Sequence, residues 1–448
     1  MTIADRSPVL PSTRNIAWIV IVSLLAAVLL SLVLVIVVVA GARENVISAA
    51  VLFAFAAGAV LLGVLSARRS DQPQRWALTA AGWLALAGIL LLIWPGVVST
   101  AAIAWVAPVL LLALAVWMTL RVRRELHSRI RPWLIYPLFA VIACAALAGL
   151  YETVQESLDR SAHHMRGQLF DVGAGRRMYL SCTGSGSPTV VLVQGYGSTS
   201  ASLGWIAPDV ARDTRVCVYD RAGRGWSDPV PSQQDGFAVA ADLHALLTSA
   251  HEAPPYVLAG HSFGGLYVRA FATRYPNQTA GVVLLDSSDP RQFTLPAYPR
   301  FYDVFRRVSA LFPSLARFGV ARLFYRHSFD SLPSESAVEE RVFWATARMA
   351  RSQRDEFAAA PRAMEQAGAL VTLGNRPLMV VTALQDAQEG WTALQDELPK
   401  LSTNSSHWIV PTATHDSLTG SKTEAALSSQ AIREVVVAVR TSKPLARH

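Results

Sequence analysis

The residues best suited to chemistry lie at positions 260–264, which read Gly-His-Ser-Phe-Gly. An apolar run at 256–259 precedes this pentapeptide, and a stretch with helical character at 266–274 follows it. A Gly-x-Ser-x-Gly sequence placed where a strand turns into a helix predicts a nucleophile elbow, a tight turn that strains its central residue. The flanking glycines leave room at the bend because they carry no side chain. We therefore predict that Ser262 is a nucleophile presented to a substrate.

A serine hydroxyl is a weak nucleophile at neutral pH, so it needs a base that removes its proton. His415 is the candidate base, because it follows the last predicted strand and precedes the last predicted helix. This position agrees with the chain order of serine, acid and histidine that accompanies a nucleophile elbow. His407 begins a strand and His261 immediately precedes the nucleophile, so we expect neither ring to reach the Ser262 hydroxyl.

Two aspartates are candidates for the acid that orients the base. Asp386 lies in a loop after the predicted strand 377–383, between the serine and the histidine in the chain. Asp286 ends the strand that follows the elbow, and from there it could reach the same imidazole. Asp386 is preferred because its loop follows the penultimate strand. Asp286 stays open as the alternative acid.

Attack on a carbonyl also requires donors for the negative charge that forms on its oxygen. One backbone N–H should come from Phe263, the residue after the nucleophile, and another from the turn after the third strand. That turn begins with Gln194 and reads Gln-Gly-Tyr-Gly, in which the glycines permit close approach of the backbone. The sequence therefore predicts an oxyanion hole formed by the N–H groups of Tyr196 and Phe263.

Strands and helices alternate in the second part of the chain and supply the framework for these residues. Candidate strands lie at 167–172, 176–182, 189–194, 215–219, 256–261, 281–286, 377–383 and 406–411, and helical patterns at 236–250, 264–275 and 423–440. Continuous apolar strands that alternate with helices predict an α/β fold with a mostly parallel sheet covered on both faces. The short turn at 173–175 predicts an antiparallel hairpin at one edge.

The alternation stops for some ninety residues between Asp286 and Pro377, where the sequence is helical, arginine-rich and aromatic. Such an insertion is too long for a simple connection. Insertions at the carboxyl ends of strands lie where α/β folds bind ligands. We therefore predict a helical cap at about 290–370 that covers the site.

Together these motifs resemble the α/β-hydrolase fold superfamily, in its serine esterase-like branch. The resemblance rests on residues 189–197, 216–228 and 260–265 and on the turn at 414–415, and it covers about 167–440 except the cap. It implies a Ser-His-acid triad, an eight-stranded sheet, and neither a metal nor an organic cofactor. Gln194 stands where the family often has histidine. The oxyanion hole should tolerate this change, because its donor in this turn is a backbone N–H. Ser262 stands where epoxide hydrolases and haloalkane dehalogenases carry aspartate, which argues against those activities.

The resemblance also bears on two of the three cysteines. In the family the second and fourth strands are neighbours, and these strands carry Cys182 and Cys217. Oxidation would cross-link the sheet in an extracytoplasmic compartment, whereas in a reducing one both would remain free thiols. Cys144 lies in an apolar segment and is interpreted as a small apolar filler.

The first third of the chain is apolar and basic. Five stretches at 16–40, 46–66, 76–94, 97–118 and 133–150 contain no charged residue, and each is about long enough to cross ~30 Å of hydrocarbon as a helix. The sequence thus predicts an all-α transmembrane domain at 1–150, a juxtamembrane segment at 151–166, and an α/β-hydrolase domain at 167–448. The net charge of +7 in residues 1–150, out of +8 in all, comes from short arginine clusters between these stretches. This distribution argues against a nucleic-acid partner and for the bilayer.

Orientation follows from the arginines, because basic residues in short loops stay on the cytoplasmic side. They concentrate at the N-terminus and in the second and fourth loops, whereas the first loop has only Arg43 and the third has none. The pattern predicts a cytoplasmic N-terminus. With five spans, the hydrolase domain is then extracytoplasmic.

These features predict a membrane-anchored serine hydrolase that cleaves a carboxylic ester, or with less support a thioester or amide, through an acyl-enzyme. The expected substrate is a small-molecule or lipid-like ester. The alternative is a transporter or sensor whose hydrolase domain is a non-catalytic binding module. The predicted spans lack the acids and bases that an ion or proton pathway requires, which disfavours that alternative.

Overall fold

The computed structural model describes residues 13–96, 101–129, 131–230 and 233–446, without the side chains of 13–15 and 101. The chain divides into two compact units, Met1–Ser157 with Arg317–Gly319, and Leu158–Ala316 with Val320–His448. The first is helical, and the second contains the sheet. The division falls close to the boundary predicted at residue 150.

The first unit consists of long apolar helices. They are α1 (Thr13–Val33), continued by a π-helical turn at Leu34–Val38, α2 (Glu44–Arg69), α3 (Trp76–Ile93), α4 (Ala101–Glu125), and α5 (Tyr136–Ala162), preceded by a π-helical turn at Arg131–Ile135. Five helical segments in the described part of the chain are long and apolar enough to cross a membrane. They coincide with the five predicted spans, although residues 97–100 of the fourth lie outside the described residues.

The polar segment predicted at 151–166 is mostly helical, because α5 runs on without a break to Ala162. Its apolar part thus leads directly into charged turns that contain Glu156, Asp159 and Arg160. Strand β1 begins only a few residues later, at Gln168. The fifth predicted span and the first strand are therefore joined by a helix and a short turn.

The second unit is built on an eight-stranded sheet in the order β1-β2-β4-β3-β5-β6-β7-β8. The strands are β1 (Gln168–Asp171), β2 (Arg177–Thr183), β3 (Val190–Val193), β4 (Val216–Tyr219), β5 (Tyr256–His261), β6 (Thr279–Leu285), β7 (Leu378–Ala383) and β8 (Ser405–Val410). Strands β1 and β2 pair antiparallel, as the turn at 173–175 predicts, and β2 pairs antiparallel with β4. The pairs from β4 to β8 are parallel, which confirms the predicted mostly parallel sheet.

Both faces of the sheet are covered by helices, which explains why its central strands are almost entirely apolar. In β3, Val191 and Val193 face a core shared with the helices α7 (Gly236–Ser249) and α8 (Phe263–Arg274). Val190 and Leu192 face the opposite core, shared with α6 (Ile206–Val210) and α16 (Lys422–Thr441). Successive side chains of a strand point to opposite faces, so a strand buried on both sides has few polar positions.

The predicted cap insertion consists of helices between β6 and β7. They are α9 (Tyr298–Ser309), α10 (Phe312–Arg317), α11 (Val320–Tyr325), α12 (Ser334–Trp344) and α13 (Ala347–Gly368), and the short helices α14 (Trp391–Gln395) and α15 (Ser417–Gly420) follow later in the chain. Helix α13 packs on α7 and α8 through buried residues such as Phe357 and Met364. The cap is thus fixed to the sheet domain along one long helix.

A disulfide links Cys182 in β2 to Cys217 in β4, with 4.1 Å between their Cα atoms. The two residues are direct partners in the register of this antiparallel pair. The bond therefore ties the antiparallel edge of the sheet to its parallel body. Of the two states that the sequence leaves open, the structure contains the disulfide.

Candidate active site

Ser262 occupies the turn between β5 and α8 in a strained conformation, with φ of +54° and ψ of −124°. A non-glycine residue held at such angles costs about 1–3 kcal/mol and persists only where its surroundings enforce it. Here the Ser262 N–H donates to the carbonyl of Leu285 at 3.1 Å, while its own carbonyl accepts from the N–H groups of Gly265 and Ser288 at 3.0 Å each. The strand–turn–helix context and the strain agree with the predicted elbow.

The glycines beside Ser262 are required by close packing of the backbone. A Cβ atom on Gly260 would lie 2.5 Å from the carbonyl carbon of Gly264. A Cβ on Gly264 would lie 2.1 Å from the carbonyl oxygen of Val193. Both distances are far below van der Waals contact, so the elbow can pack against β3 only with glycine at these positions.

The acid that contacts the His415 ring is Asp286, and the preference for Asp386 is corrected by the structure. The Asp286 Oδ2 atom lies 2.5 Å from His415 Nδ1, and the aspartate is buried. Its Oδ1 atom accepts hydrogen bonds from Trp391 Nε1 at 2.9 Å and from the Ala383 N–H at 3.2 Å. A carboxylate whose second oxygen is held by two donors can turn its first oxygen only toward the imidazole.

Asp386 contacts the same histidine at its backbone. Its Oδ1 atom accepts from the His415 N–H at 2.8 Å. On the other side, His261 Nε2 lies 2.9 Å from the His415 carbonyl oxygen, and because a carbonyl can only accept, the His261 ring donates. Asp386 and His261 thus hold the main chain of His415 while Asp286 holds its ring. The expectation that His261 does not approach the nucleophile overlooks this positioning contact, which spans 154 residues of sequence.

The electrostatics of the two histidines differ. Burial lowers the pKa of His415, but the hydrogen bond and charge of Asp286, together with the charges of Asp416 and Asp386, outweigh burial, and the net pKa is raised above its ordinary value. Burial and the neighbouring His415 lower the pKa of His261 to about 4. His261 is therefore neutral near pH 7 and serves as a donor, whereas the environment of His415 favours the imidazolium that a general base becomes.

The two predicted oxyanion donors lie beside the nucleophile. Tyr196, Phe263 and Ser262 line one cavity, and a Cβ on Gly195 would come within 3.2 Å of the Ser262 Cβ. Phe263 is the first residue of α8, so its N–H has no intrahelical acceptor and lies at the positive end of the helix dipole. Within residues 13–96, 101–129, 131–230 and 233–446, neither the Tyr196 N–H nor the Phe263 N–H has a protein acceptor.

The loop that carries Tyr196 is held by buried charges. Arg221 donates to the carbonyl oxygens of Gln194 at 2.7 Å and of Gly195 at 2.6 Å. On the other side of Tyr196, the Gly197 N–H donates to Glu356 Oε2 at 3.0 Å. Arg221 and Glu356 are themselves paired at 2.9 Å. One salt bridge therefore holds both ends of the loop.

Glu356 belongs to the cap helix α13, and it joins the cap to the oxyanion loop. It is buried and also accepts from Arg224 and, at 2.8 Å, from the Tyr267 hydroxyl. Burial raises the pKa of the Glu356 carboxyl, but the charges of Arg221 and Arg224 outweigh it and leave the pKa below its ordinary value. Glu356 could not be identified from the sequence, because nothing in a helical insertion distinguishes one glutamate from its neighbours.

Two cavities meet at the nucleophile. The first, called here the aromatic cavity, has a volume of about 510 Å³. It is lined by Tyr196, Ser262, Phe263, Asp286, Ser288, Gln292, Tyr298, Phe301, Phe305, Phe357, Asp386, Ala387, Gln388, Trp391 and His415. Helices α9 and α13 contribute three of its phenylalanines, so the insertion does form part of the site.

The second cavity, called here the hydroxyl cavity, has a volume of about 640 Å³. It shares Tyr196, Ser262 and His415 with the aromatic cavity. Its remaining lining includes several small hydroxyl side chains, among them Ser198, Ser202, Ser331, Thr414, Ser417, Thr419 and Ser421. The nucleophile and base therefore stand between an apolar chamber and a more polar one.

The described ranges contain one group of metal-ligating residue types whose ligand atoms lie close together, Cys182, Cys217 and Glu252. The two sulfurs are bonded to each other and offer no thiolate to an ion. The two cysteines lie on the β2–β4 pair, Glu252 lies in the loop before β5, and none of the three lines either cavity.

The chain belongs to the α/β-hydrolase fold family, whose model matches residues 188–418. This match includes the elbow, the insertion and the histidine. The match begins after β2 and covers the strands from β3 to β8. The matched family and its neighbours support a hydrolase.

Individual relatives and a solved structure resemble parts of the chain. An uncharacterised protein of Schizosaccharomyces pombe is 29% identical over 290 residues, which are 56% of this chain and 52% of that protein. A 2-hydroxymuconate semialdehyde hydrolase of a Pseudomonas species is 31% identical over 120 residues, 26% of this chain and 42% of the enzyme. The chain thus spans about half the length of the curated relatives that it matches, or less. The structure of a putative acyltransferase from Salmonella enterica superposes with a TM-score of 0.51 at 18% identity, covering 61% of this chain and 95% of that one.

Proposed function

We propose that this protein is a membrane-anchored serine hydrolase that cleaves carboxylic esters through an acyl-enzyme intermediate. The observation that carries the proposal is the convergence of three distant segments on one cavity. Ser262 lies on a strained elbow, and His415 lines the same cavity. Asp286 contacts His415 Nδ1, which leaves Nε2 as the nitrogen that can act as the base. An unstrained serine beside an unpartnered histidine would not support this function.

The proposed reaction assigns one role to each group. His415 Nε2 removes the proton from the Ser262 hydroxyl as the oxygen attacks the ester carbonyl, and the N–H groups of Tyr196 and Phe263 bind the resulting oxyanion. Asp286 stabilises the imidazolium, which then protonates the leaving alcohol. Water, activated by the same histidine, attacks the acyl-enzyme, releases the carboxylic acid and restores the Ser262 hydroxyl.

The division of the site into two chambers suits an ester, because an ester places one group on each side of the bond that breaks. The aromatic cavity offers apolar walls to one of these groups. The hydroxyl cavity offers hydrogen-bonding side chains to the other. A peptide or amide substrate would also fit two chambers, but nothing in the lining pairs with a peptide backbone in preference to an ester.

Membrane anchoring is supported by the five apolar segments and by the arginines between them. The positive-inside rule puts the N-terminus in the cytoplasm and the hydrolase domain outside it. The Cys182–Cys217 disulfide is consistent with this location, because such bonds persist in oxidising compartments. A reporter active only outside the cytosol, fused after residue 166, should be active; an inactive reporter there would reverse the proposed sidedness.

The experiment that tests the function is turnover of a soluble butyryl ester by the purified full chain in detergent. We expect release of butyrate and alcohol, with an initial burst of alcohol because acylation by a reactive ester is faster than deacylation. The Ser262→Ala variant should retain fold and lose this turnover by about 10³-fold or more. Equal turnover by the Ser262→Ala variant, or none by the wild-type chain against any ester tested, would refute the proposal.

A further inference from the structure

A second apolar recess, called here the α9 groove, lies next to the aromatic cavity. It has a volume of about 710 Å³ and runs along α9. Phe301, Val304, Phe305 and Val308 form its apolar side, and their spacing of three and four residues places them on one helical face. Arg300 stands at its margin.

The groove and the aromatic cavity share two walls, because Phe301 and Phe305 line both. From there, aromatic contacts lead to the oxyanion loop. The ring of Phe305 lies 4.6 Å from that of Phe357 and 6.1 Å from that of Tyr196. The Tyr196 ring in turn lies 5.6 Å from Phe263. A continuous row of packed aromatic side chains therefore extends from the nucleophile to the outer face of α9.

The outer end of this path is exposed. Phe301 is 52% exposed, Val304 54% and Val308 47%. Exposure of these apolar side chains to water is unfavourable, and an apolar ligand that covers them would remove that free-energy cost. A substrate confined to the aromatic cavity would leave this face uncovered, whereas a longer one that continues from that cavity would cover it.

We propose that the α9 groove is the distal part of the substrate site and that it binds the hydrocarbon chain of a long-chain ester. This inference rests on the proposed ester hydrolysis and adds the substrate class. The ester group lies at Ser262, the first carbons of the chain fill the aromatic cavity, and the later carbons pass Phe301 and Phe305 to lie along Val304 and Val308. Each methylene that reaches the groove multiplies kcat/KM by a factor of up to about four, as expected for burial of one methylene.

The test compares two series of esters on the full chain in detergent. One series has graded acids (butyryl, octanoyl, lauroyl and palmitoyl) on one alcohol, and the other has acetyl esters of graded alcohols. A rise of kcat/KM with length in either series supports the groove, and the series that rises identifies the half of the ester that enters it. A flat or falling profile in both series overturns the proposal.

The groove itself is tested by Val304→Trp, which fills it, with Val338→Trp as the matched control. Val338 is an exposed valine on the cap helix α12, outside the residues that line the groove. In the series that rises, Val304→Trp should reduce the ratio of long-chain to short-chain kcat/KM by about tenfold or more, and Val338→Trp should leave it unchanged.

Val304→Asp provides a second variant that does not depend on side-chain size. It places a carboxylate where the chain would lie, and the cost of desolvating that charge should again reduce long-chain turnover selectively. Unchanged length dependence in both Val304 variants would overturn the groove. Short-chain turnover by the wild-type chain that is lost in Ser262→Ala would uphold the proposed function. An unchanged length dependence in the Val304 variants would then refute the groove alone.

Discussion

Replacing each candidate acid with its amide distinguishes a residue that acts on the imidazole from one that supports the main chain. In Asp286→Asn, the donors Trp391 Nε1 and the Ala383 N–H require an acceptor, so they hold the amide oxygen in the place of Oδ1. The amide nitrogen then faces His415 Nδ1 and donates to it. His415 is thereby fixed with its proton on Nε2, the tautomer that cannot accept a proton from Ser262.

This change of tautomer determines how much kcat the Asp286→Asn variant should lose. A triad aspartate replaced by asparagine in this way lowers kcat by about 10⁴ while geometry is retained. In Asp386→Asn, the amide oxygen can still accept from the His415 N–H, so only the difference between a charged and a neutral acceptor is lost. A hydrogen bond has a net value of about 0.5–1.5 kcal/mol, so this variant should lose at most about tenfold.

The assay is steady-state hydrolysis of a butyryl ester by both variants, with thermal unfolding as the check that each is folded. The expected order is wild type, then Asp386→Asn slightly lower, then Asp286→Asn lower by several orders of magnitude. Near-normal turnover by Asp286→Asn, or a loss of a thousandfold or more in Asp386→Asn alone, would refute the assignment of the acid.

Three further predictions concern the base, the cap and the disulfide. The pKa of His415 is raised, and only its neutral ring accepts a proton, so kcat/KM should increase with pH through a midpoint above the ordinary histidine pKa of 6.5. A midpoint below 6.5 in the measured pH profile would contradict the role of Asp286. Glu356→Gln should lower kcat by about 10² with KM nearly unchanged, because Arg221 and Arg224 lose the buried carboxylate that ties them to the oxyanion loop. Glu365→Gln, an exposed change on the same helix, should alter neither, and a parallel loss in both variants would point to a general effect on the helix. Replacing Cys182 and Cys217 with alanine should lower the free energy of unfolding by about 3–4 kcal/mol, given their separation of 35 residues. If the oxidised wild-type protein and this variant have the same free energy of unfolding in chemical denaturation, the disulfide does not stabilise the fold.

The sheet could be predicted from the sequence because its strands have strong local patterns. Strands buried on both faces are apolar at nearly every position, so β3, β5, β6 and β7 stand out as short apolar runs between turn residues. The elbow was accessible for the same reason, since its glycines are dictated by backbone contacts within a few residues. The N-terminal helices follow from length and composition alone.

The acid and the cap contacts were less accessible because they depend on packing between distant segments. Asp286 and Asp386 both follow a strand, and the choice between them depends on where the Trp391 ring and the backbone of β7 place their donors. Glu356 meets Gly197 across 159 residues of sequence. No local pattern encodes such a contact, so only the folded chain reveals which glutamate of the cap holds the oxyanion loop.

The central claim is that the hydroxyl on the β5–α8 turn becomes reactive through His415. The most direct measurement is labelling of the full chain with a fluorophosphonate, followed by mass spectrometry of its peptides. The label should be found on the peptide that contains Ser262, and it should be absent from Ser262→Ala and strongly reduced in His415→Ala. No label on the wild-type chain, or equal labelling of wild type and Ser262→Ala, would contradict the account.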